Sequence, residues 1–501
     1  MPRLKILSKE VSLTEKVPRG AMLLDILRTA GHEMYTPCGG QGTCGKCRVY
    51  VRDRGYVTSC LFPVMEDMEI VLPEPSEASI MAEQYAHTRQ LPADPGPSAR
   101  LSAHPYGVAV DLGTTSLVFH FVNLMTGALV ETRAILNPQA KYGADVISRI
   151  NYCVLNPQGA RILQQEIINT VNAELLRFAG NAGTGKTDVV RICFTGNTTM
   201  LHILLGVDPG PIAYVPFTPA FTEEKILRAA DLDLECHPGG EVKILPSLSA
   251  YIGSDIVAGI ASLKPSTAHK NYLFLDLGTN GEMALCTPDR IYCCSSAAGP
   301  AFEGANIEHG MGAAEGAIMS YDGPGRFRII GDTRPTGICG SGLIDLVAWL
   351  LAGGRISGDG YMAGDFIIAT AAESATGQAI CLTPKDVREV QLAKSAVASG
   401  INILLSHAGL SADQIDALYL AGGFGNYIRP ANAASIGLIP RELCARAMPA
   451  GNTSGTGALL SLRSVSFDGI LEEILSRMKN LELSDHPDFV MQFAMNMEFH
   501  T

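Results

Sequence analysis

Four cysteines near the start of the chain, Cys38, Cys44, Cys47 and Cys60, follow the spacing C-x5-C-x2-C-x12-C. The first three share one loop with Gly39, Gly40, Gly42 and Gly45. Thiolates at such spacings are ligands for zinc or for iron. Structural zinc sites usually pair two C-x2-C knuckles, and this loop carries a single one. An iron–sulfur cluster asks for glycines instead. Its sulfides accept backbone N–H bonds, so the chain must wrap closely while four thiolates surround two irons. The spacing points to a [2Fe-2S] cluster, with zinc as the rival that iron analysis and visible colour would separate.

A second chemistry is written twice. Asp111-Leu-Gly-Thr-Thr115 nearly recurs as Asp276-Leu-Gly-Thr-Asn-Gly-Glu282, 165 positions later (276 − 111). Each copy follows an apolar run, Tyr106-Gly-Val-Ala-Val and Tyr272-Leu-Phe-Leu, that reads as a buried strand. Gly113 and Gly278 would let backbone N–H groups approach a phosphate, and Thr114, Thr115, Thr279 and Asn280 supply donors. Asp111 and Asp276 would position a hydrated Mg²⁺ between phosphates. A third Gly-rich strand end, Leu418-Tyr-Leu-Ala-Gly-Gly-Phe-Gly425, offers Gly422, Gly423 and Phe424 as a floor for a flat ring system. One such turn is also just a strand followed by a turn; three in this order point to a nucleotide. No residue stands out as the base that activates water.

These residues need elements to hold them. Residues 4–7 and 11–14 read as short strands, 21–28 as a helix ended by Gly31, 48–51 as a strand and 67–72 as a closing strand. Pro73, Pro75, Pro92, Pro95, Pro97 and Pro105 then mark a linker long enough to let a cluster domain swing. After each Asp-Gly-Thr turn a β-meander is expected, and 160–178 carries a helical apolar stripe. Gly180-Asn-Ala-Gly-Thr-Gly-Lys-Thr187 matches the phosphate-loop pattern G-x4-G-K-[ST] letter for letter. It leaves a helix and enters a strand, the reverse of what a phosphate loop requires, so a surface turn is expected. Thr195-Gly-Asn-Thr-Thr-Met200 either lines a cleft or merely caps a helix. Ser295 to Ala305 is a run of small residues suited to close approach of a ligand. The start of the apolar helix near Gly337 to Asp345 suits an anion or tight packing equally.

Whole-chain composition narrows the class. A formal net charge of −12 without a basic run excludes a nucleic-acid partner, whose phosphates demand clustered Lys and Arg. The N-terminus lacks the apolar core of a signal peptide. The greasy stretch 343–352 is far short of the ~20 residues a membrane helix needs, so a cytoplasmic protein without a membrane partner is expected. The nine scattered cysteines read as small core hydrophobes.

The N-terminal segment resembles the β-grasp [2Fe-2S] ferredoxins, although five residues lie between its first two cysteines where plant-type ferredoxins have four. The remainder resembles the two-lobed α/β ATPase fold of actin, sugar kinases and heat-shock chaperones. In that fold Asp111, Gly113, Thr114 and Thr115 match the first phosphate loop. Asp276, Gly278, Thr279 and Asn280 match the second, and Gly422, Gly423 and Phe424 match the adenosine motif. Together the two parts resemble the reductive activators of corrinoid-dependent methyltransferases, with the match spanning essentially the whole chain. The resemblance implies a multidomain α+β and α/β protein: a [2Fe-2S] domain at 1–75, a linker at 76–104, ATPase lobe I at 105–265 and lobe II at 266–501. It also implies ATP and Mg²⁺ as ligands and a cobalamin-binding methyl-carrier protein as partner. The carrier's inactive Co(II) would be returned to Co(I) by one electron from a donor such as a reduced ferredoxin or flavoprotein. Two alternatives stay open: a redox-sensing ATP-binding protein without turnover, and a small-molecule kinase with a metal-binding appendage.

Overall fold

The computed structural model describes residues 1–7, 12–30, 47–52, 54–71, 88–94, 96–265, 269–422 and 427–499. The N-terminal unit is a five-stranded sheet of β1 (Arg3–Leu7), β2 (Ser12–Lys16), β3 (Arg48–Val51), β4 (Gly55–Thr58) and β5 (Met68–Val71), in the order β2-β1-β5-β3-β4. First and last strands pair in parallel at its centre. Leu4 and Ile6 alternate inward along β1, as a half-buried strand requires. Leu23, Leu24, Ile26 and Leu27 form the buried stripe of α1 (Leu23–Thr29). A seven-residue helix is not stable alone, and packing against Leu4, Ile6, Val49, Val51 and Ile70 holds it. This is the β-grasp arrangement. Strand β4 is too short and too mixed in character to announce itself in the sequence.

Two larger sheets follow. The first comprises β6 (Tyr106–Leu112), β7 (Ser116–Asn123), β8 (Ala128–Leu136), β9 (Val189–Gly196), β10 (Lys225–Arg228) and β11 (Glu241–Ile244), ordered β10-β11-β9-β6-β7-β8. Helices α2 (Val146–Leu155), α3 (Gly159–Ala182), α4 (Thr198–Leu204) and α5 (Ser254–Ser262) interleave with it. The second comprises β12 (Tyr272–Leu277), β13 (Gly281–Cys286), β14 (Ile291–Ser296), β20 (Ala417–Ala421), β21 (Ala447–Gly451) and β22 (Met478–Asn480), ordered β21-β20-β12-β13-β14-β22. Between β14 and β20 lie the small sheet of β15 (Ala317–Tyr321), β16 (Phe327–Ile329) and β17 (Gly337–Ile338) and the ribbon of β18 (Phe366–Ala369) and β19 (Ile380–Leu382). Helices α6 (Gly340–Ala352) and α7 (Pro384–Ala408) belong to the same stretch, and α8 (Pro430–Ser435), α9 (Thr453–Arg463), α10 (Phe467–Arg477) and α11 (Phe489–Met495) come after β20.

The sheets repeat one plan. β6 and β12 each open an antiparallel meander on one side and pair in parallel with a later strand, β9 or β20, on the other. Both motif aspartates therefore sit at the same end of equivalent central strands. Helices α5 and α9 pack against each other, and one core joins them to both sheets, including Ala109 and Cys193 from the first and Phe274, Ala284 and Tyr419 from the second. Helix α9 comes from the C-terminal segment, yet it lies against β6 and β9 of the first sheet.

Residues 180–187 close α3 and lead into β9, with Gly183 as a left-handed C-cap and Lys186 paired to Glu235. Only a three-residue 3₁₀ turn, Lys186–Asp188, precedes β9, and the segment opens no α-helix whose N-terminus could face a phosphate. The later part of the proline-rich segment is fastened to the ATPase body. The Arg89 backbone N–H and Nε donate to Ser262 O and Ala261 O, at 2.8 Å each, at the end of α5. Asp94 N donates to Arg463 O at the end of α9 (2.7 Å), and Val465 N donates back to Asp94 O (2.9 Å). A cation at a helix C-terminus also complements the helix dipole. The swinging tether read from the sequence is therefore shorter than composition suggests, because main-chain bonds hold 88–94. Among the described residues no helix is long and apolar enough to cross a membrane.

Candidate nucleotide cleft and cluster site

The first turn is braced from three sides. Gly113 N donates to Ser116 O (3.0 Å), closing the turn between β6 and β7. Asn137 Nδ2 donates to Gly113 O (2.8 Å), and Asn197 Nδ2 donates to Thr114 Oγ1 (3.0 Å). The fully buried Arg149 donates to Thr114 O and to Gln139 Oε1 (3.0 Å). Asn197 also caps α4, its Oδ1 accepting from Met200 N (2.9 Å). The two readings of the Thr195–Met200 stretch thus both hold, one at each end of a single amide.

Asp111 is held by residues far along the chain. Ser454 Oγ donates to its Oδ1 (2.7 Å) and Asn452 Nδ2 to its Oδ2 (2.8 Å). Both donors sit at the N-terminus of α9, which Asn452 also caps, its Oδ1 accepting from Gly455 N (2.8 Å). In the second turn Gly278 N donates to Asn280 O (3.0 Å). Thr279 Oγ1 donates to Glu303 Oε2 (2.6 Å), and Thr115 Oγ1 lies 3.4 and 3.5 Å from the two Glu303 oxygens. One carboxylate therefore bridges the two turns.

Gly422 ends β20 beside Asp276 with φ of 91°. A Cβ there would stand 2.6 Å from Asp276 Oδ1 and from Leu277 O, so only glycine lets the third turn approach the second. Gly423, Phe424, Cys38 and Cys44 lie outside the described residues. At the start of α6, a Cβ on Gly340 would lie 2.0 Å from Phe302 O, and Ser341 Oγ donates to Met319 O (2.8 Å). Tight packing accounts for the small residues there, and no anion site is needed.

Carboxylates crowd the cleft floor. Burial, then the charges of Asp276 and Asp111, pushes Asp255 up to about 8. Burial, then Asp111 and Glu303, pushes Asp276 up to about 7. Burial, then Asp255 and Asp276, raises Glu282 well above the usual carboxylate range. Burial also raises Asp111, against the hydrogen bonds from Ser454 and Asn452. Asp255, in the first turn of α5, and Glu282, on β13, are cleft residues that the sequence reading missed; an acidic residue at a helix start is too common to stand out. Among the described residues no three His, Cys, Asp or Glu side chains cage a metal by themselves. Mg²⁺ keeps several waters and takes one or two carboxylates together with phosphate oxygens.

Such crowding has a pH signature. A carboxyl whose folded pKa lies above its unfolded value of 3.8 contributes stability below that value, and the contribution is lost as pH rises through about 7 and 8. Without divalent cations the melting temperature is expected to fall from about pH 6 to about pH 9. MgADP, which would neutralise the ionised groups, is expected to raise it more at the higher pH. Equal nucleotide-free stability at both ends in scanning fluorimetry would contradict this picture.

In the N-terminal unit, Cys47 (0% exposed) and Cys60 (9%) converge in one buried cluster with Leu24, and neither forms a disulfide. Ser59 N donates to Cys47 O (2.8 Å), fixing the two segments together. Two buried thiols that meet, one of them following the glycine-rich stretch directly in sequence, fit half of a four-thiolate cluster site.

Comparison with known proteins matches three stretches of the chain to family models. Residues 7–73 match the 2Fe-2S iron-sulfur cluster binding domain family, 106–266 the RACo middle region, and 270–501 the C-terminal domain of RACo, the ASKHA domain. The chain is 30% identical to the corrinoid activation enzyme RamQ of Eubacterium limosum, across 99% of this chain and 98% of that protein. It is 27% identical to the [Co(II) methylated amine-specific corrinoid protein] reductase of Methanosarcina barkeri, across 73% and 72% of the two chains. The solved structure of a reductive activator for corrinoid, iron-sulfur protein superposes with a TM-score of 0.73 at 28% identity, covering 100% of this chain and 98% of that one. With its Cys47–Cys60 pair in a ferredoxin-type unit and its paired Asp-Gly-Thr turns in an ASKHA body, the chain belongs to the RACo family.

Proposed function

We propose that this protein is an ATP-dependent reductive activator, which passes one electron to an inactive Co(II) corrinoid protein and returns it to Co(I). Residues 1–75 carry the [2Fe-2S] cluster on Cys38, Cys44, Cys47 and Cys60, and 76–104 link them to lobe I (105–265) and lobe II (266–501). ATP–Mg²⁺ lies in the cleft. Asp111 and Asp276 position the metal, the Gly113–Thr115 and Gly278–Asn280 turns hold the phosphates, and Gly422, Gly423 and Phe424 face the adenosine. A reduced ferredoxin or flavoprotein supplies the electron. The setting is cytoplasmic, in keeping with described cysteines that are all free of disulfides.

The observation that carries this reading is that one chain, related along its length to corrinoid activators, bridges two phosphate-type turns by one carboxylate and also buries a cysteine pair in a ferredoxin-type unit. Helices α5 and α9 support the coupling. Both begin at the cleft, with Asp255 and with the Asn452–Ser454 pair, and both end under the 88–94 strap that leads to the cluster unit.

The energetics fit. Plant-type clusters sit near about −400 mV, and a Co(II)/Co(I) couple about 100 mV lower makes the transfer uphill by about 2.3 kcal/mol. Differential binding between two conformations supplies energies of about that size. The test mixes anaerobic protein, a low-potential reductant and a Co(II) corrinoid protein, with and without MgATP. Co(I) absorption is expected only with MgATP; equal yields in both arms reject the coupling.

A further inference from the structure

We propose that Glu303 is the residue that orients the attacking water and accepts its proton when ATP is hydrolysed in the cleft. This rests on the nucleotide reading above and names the one role that reading leaves unfilled.

Glu303 ends the short turn Pro300–Glu303, in the small-residue stretch after β14. Its two oxygens face Thr279 of the second turn at 2.6 Å and Thr115 of the first at 3.4 and 3.5 Å. It is thus a carboxylate placed between the loops expected to grip the phosphates, 188 residues from one and 24 from the other.

The other acids of the group have different surroundings, Glu282 on β13 accepting from Ser295 Oγ of the neighbouring strand (3.4 Å). Asp111 uses both oxygens on Ser454 and Asn452. Asp276 is pressed against the backbone of Gly422, and Asp255 Oδ1 accepts from Ile256 N of its own helix (2.9 Å). The partners of Glu303 are two threonine hydroxyls, each with one proton to give. When those protons turn to phosphate oxygens, the Glu303 carboxylate is left as a free acceptor beside the terminal phosphate. Burial raises the Glu303 carboxyl above the usual carboxylate range, as suits a proton acceptor, against the two threonine hydrogen bonds and the positive field of buried Arg149.

The step balances with water and ATP alone. The water oxygen bonds to the γ-phosphorus and the bond from that phosphorus to the β–γ bridging oxygen breaks. The electron pair leaves with ADP, and Glu303 takes the water proton before releasing it to solvent.

The experiment uses full-length protein with MgATP, comparing wild type, Glu303→Gln and Glu303→Asp. Nucleotide affinity is read by titration with a fluorescent ATP analogue, fold by melting temperature, and chemistry by single-turnover phosphate release. Glutamine still accepts from Thr279 through its oxygen and can donate to the Thr115 hydroxyl through its amide, but it cannot take a proton. The expected result is unchanged affinity, a melting temperature no lower than that of wild type, bound nucleotide recovered as ATP, and hydrolysis slower by about 10²- to 10⁴-fold. Asp is expected to recover part of the rate.

Wild-type hydrolysis by Glu303→Gln overturns the proposal, as does loss of nucleotide binding in that variant, which would mark a binding or structural role. Absence of nucleotide binding in the wild type is a different failure. It removes the reading on which the proposal rests.

Discussion

Cys60→Ser, and equally Cys47→Ser, is expected to abolish Co(I) formation with or without MgATP, leaving nucleotide binding intact. A serine hydroxyl does not ionise at neutral pH and is a poor ligand for iron. Both thiols are buried and meet beside Leu24. The visible and EPR signatures of the reduced protein are expected to disappear or change form. A control sharpens the test. Cys293 and Cys294 are also fully buried, but in the core of the second lobe. Their replacement by serine is expected to cost stability, about 1–3 kcal/mol for an unsatisfied buried hydroxyl, and to leave the iron content unchanged. Iron loss in the control, or full iron in the Cys60→Ser protein, would overturn the assignment.

Asp111→Asn and Asp276→Asn are each expected to slow ATP hydrolysis by about 10²- to 10³-fold, since each removes a fixed negative charge from the metal position. Their effects on the nucleotide-free protein are expected to differ in sign. Asp111 accepts from Asn452 and from Ser454. An asparagine there sets a donor against one of those donors and leaves it unpaired, costing about 1–3 kcal/mol. Asp276 is a crowded carboxylate whose ionised form is disfavoured by burial and by Asp111 and Glu303. Neutralising it relieves that repulsion, so above neutral pH the nucleotide-free Asp276→Asn protein is expected to melt higher than wild type. Melting curves at about pH 8 without Mg²⁺ check this. Equal shifts for the two variants would mean that the two aspartates are held alike, against the geometry.

Much of the site was legible because it is local. A turn that needs glycine, hydroxyl donors and an acidic residue after an apolar strand must carry those types at adjacent positions, and the chain does so at 111–115 and again at 276–280. The rejected phosphate-loop match at 180–187 was decided the same way, from the helix before it and the strand after it. Three of the missed residues act across long stretches of chain. Asn452 and Ser454 reach Asp111 from 341 and 343 positions away, and Glu303 reaches Thr115 from 188.

The amino-acid order alone determined the cluster spacing, the doubled turns and the plan of two similar lobes, because each follows from short-range backbone geometry and the period of apolar residues. Only the tertiary structure decided that α9 returns to the first sheet to hold Asp111, that Glu303 stands between the two turns, and that the 88–94 strap crosses the ends of α5 and α9. Those outcomes depend on how helices pack across the shared core, and no neighbouring residues in the chain encode that packing.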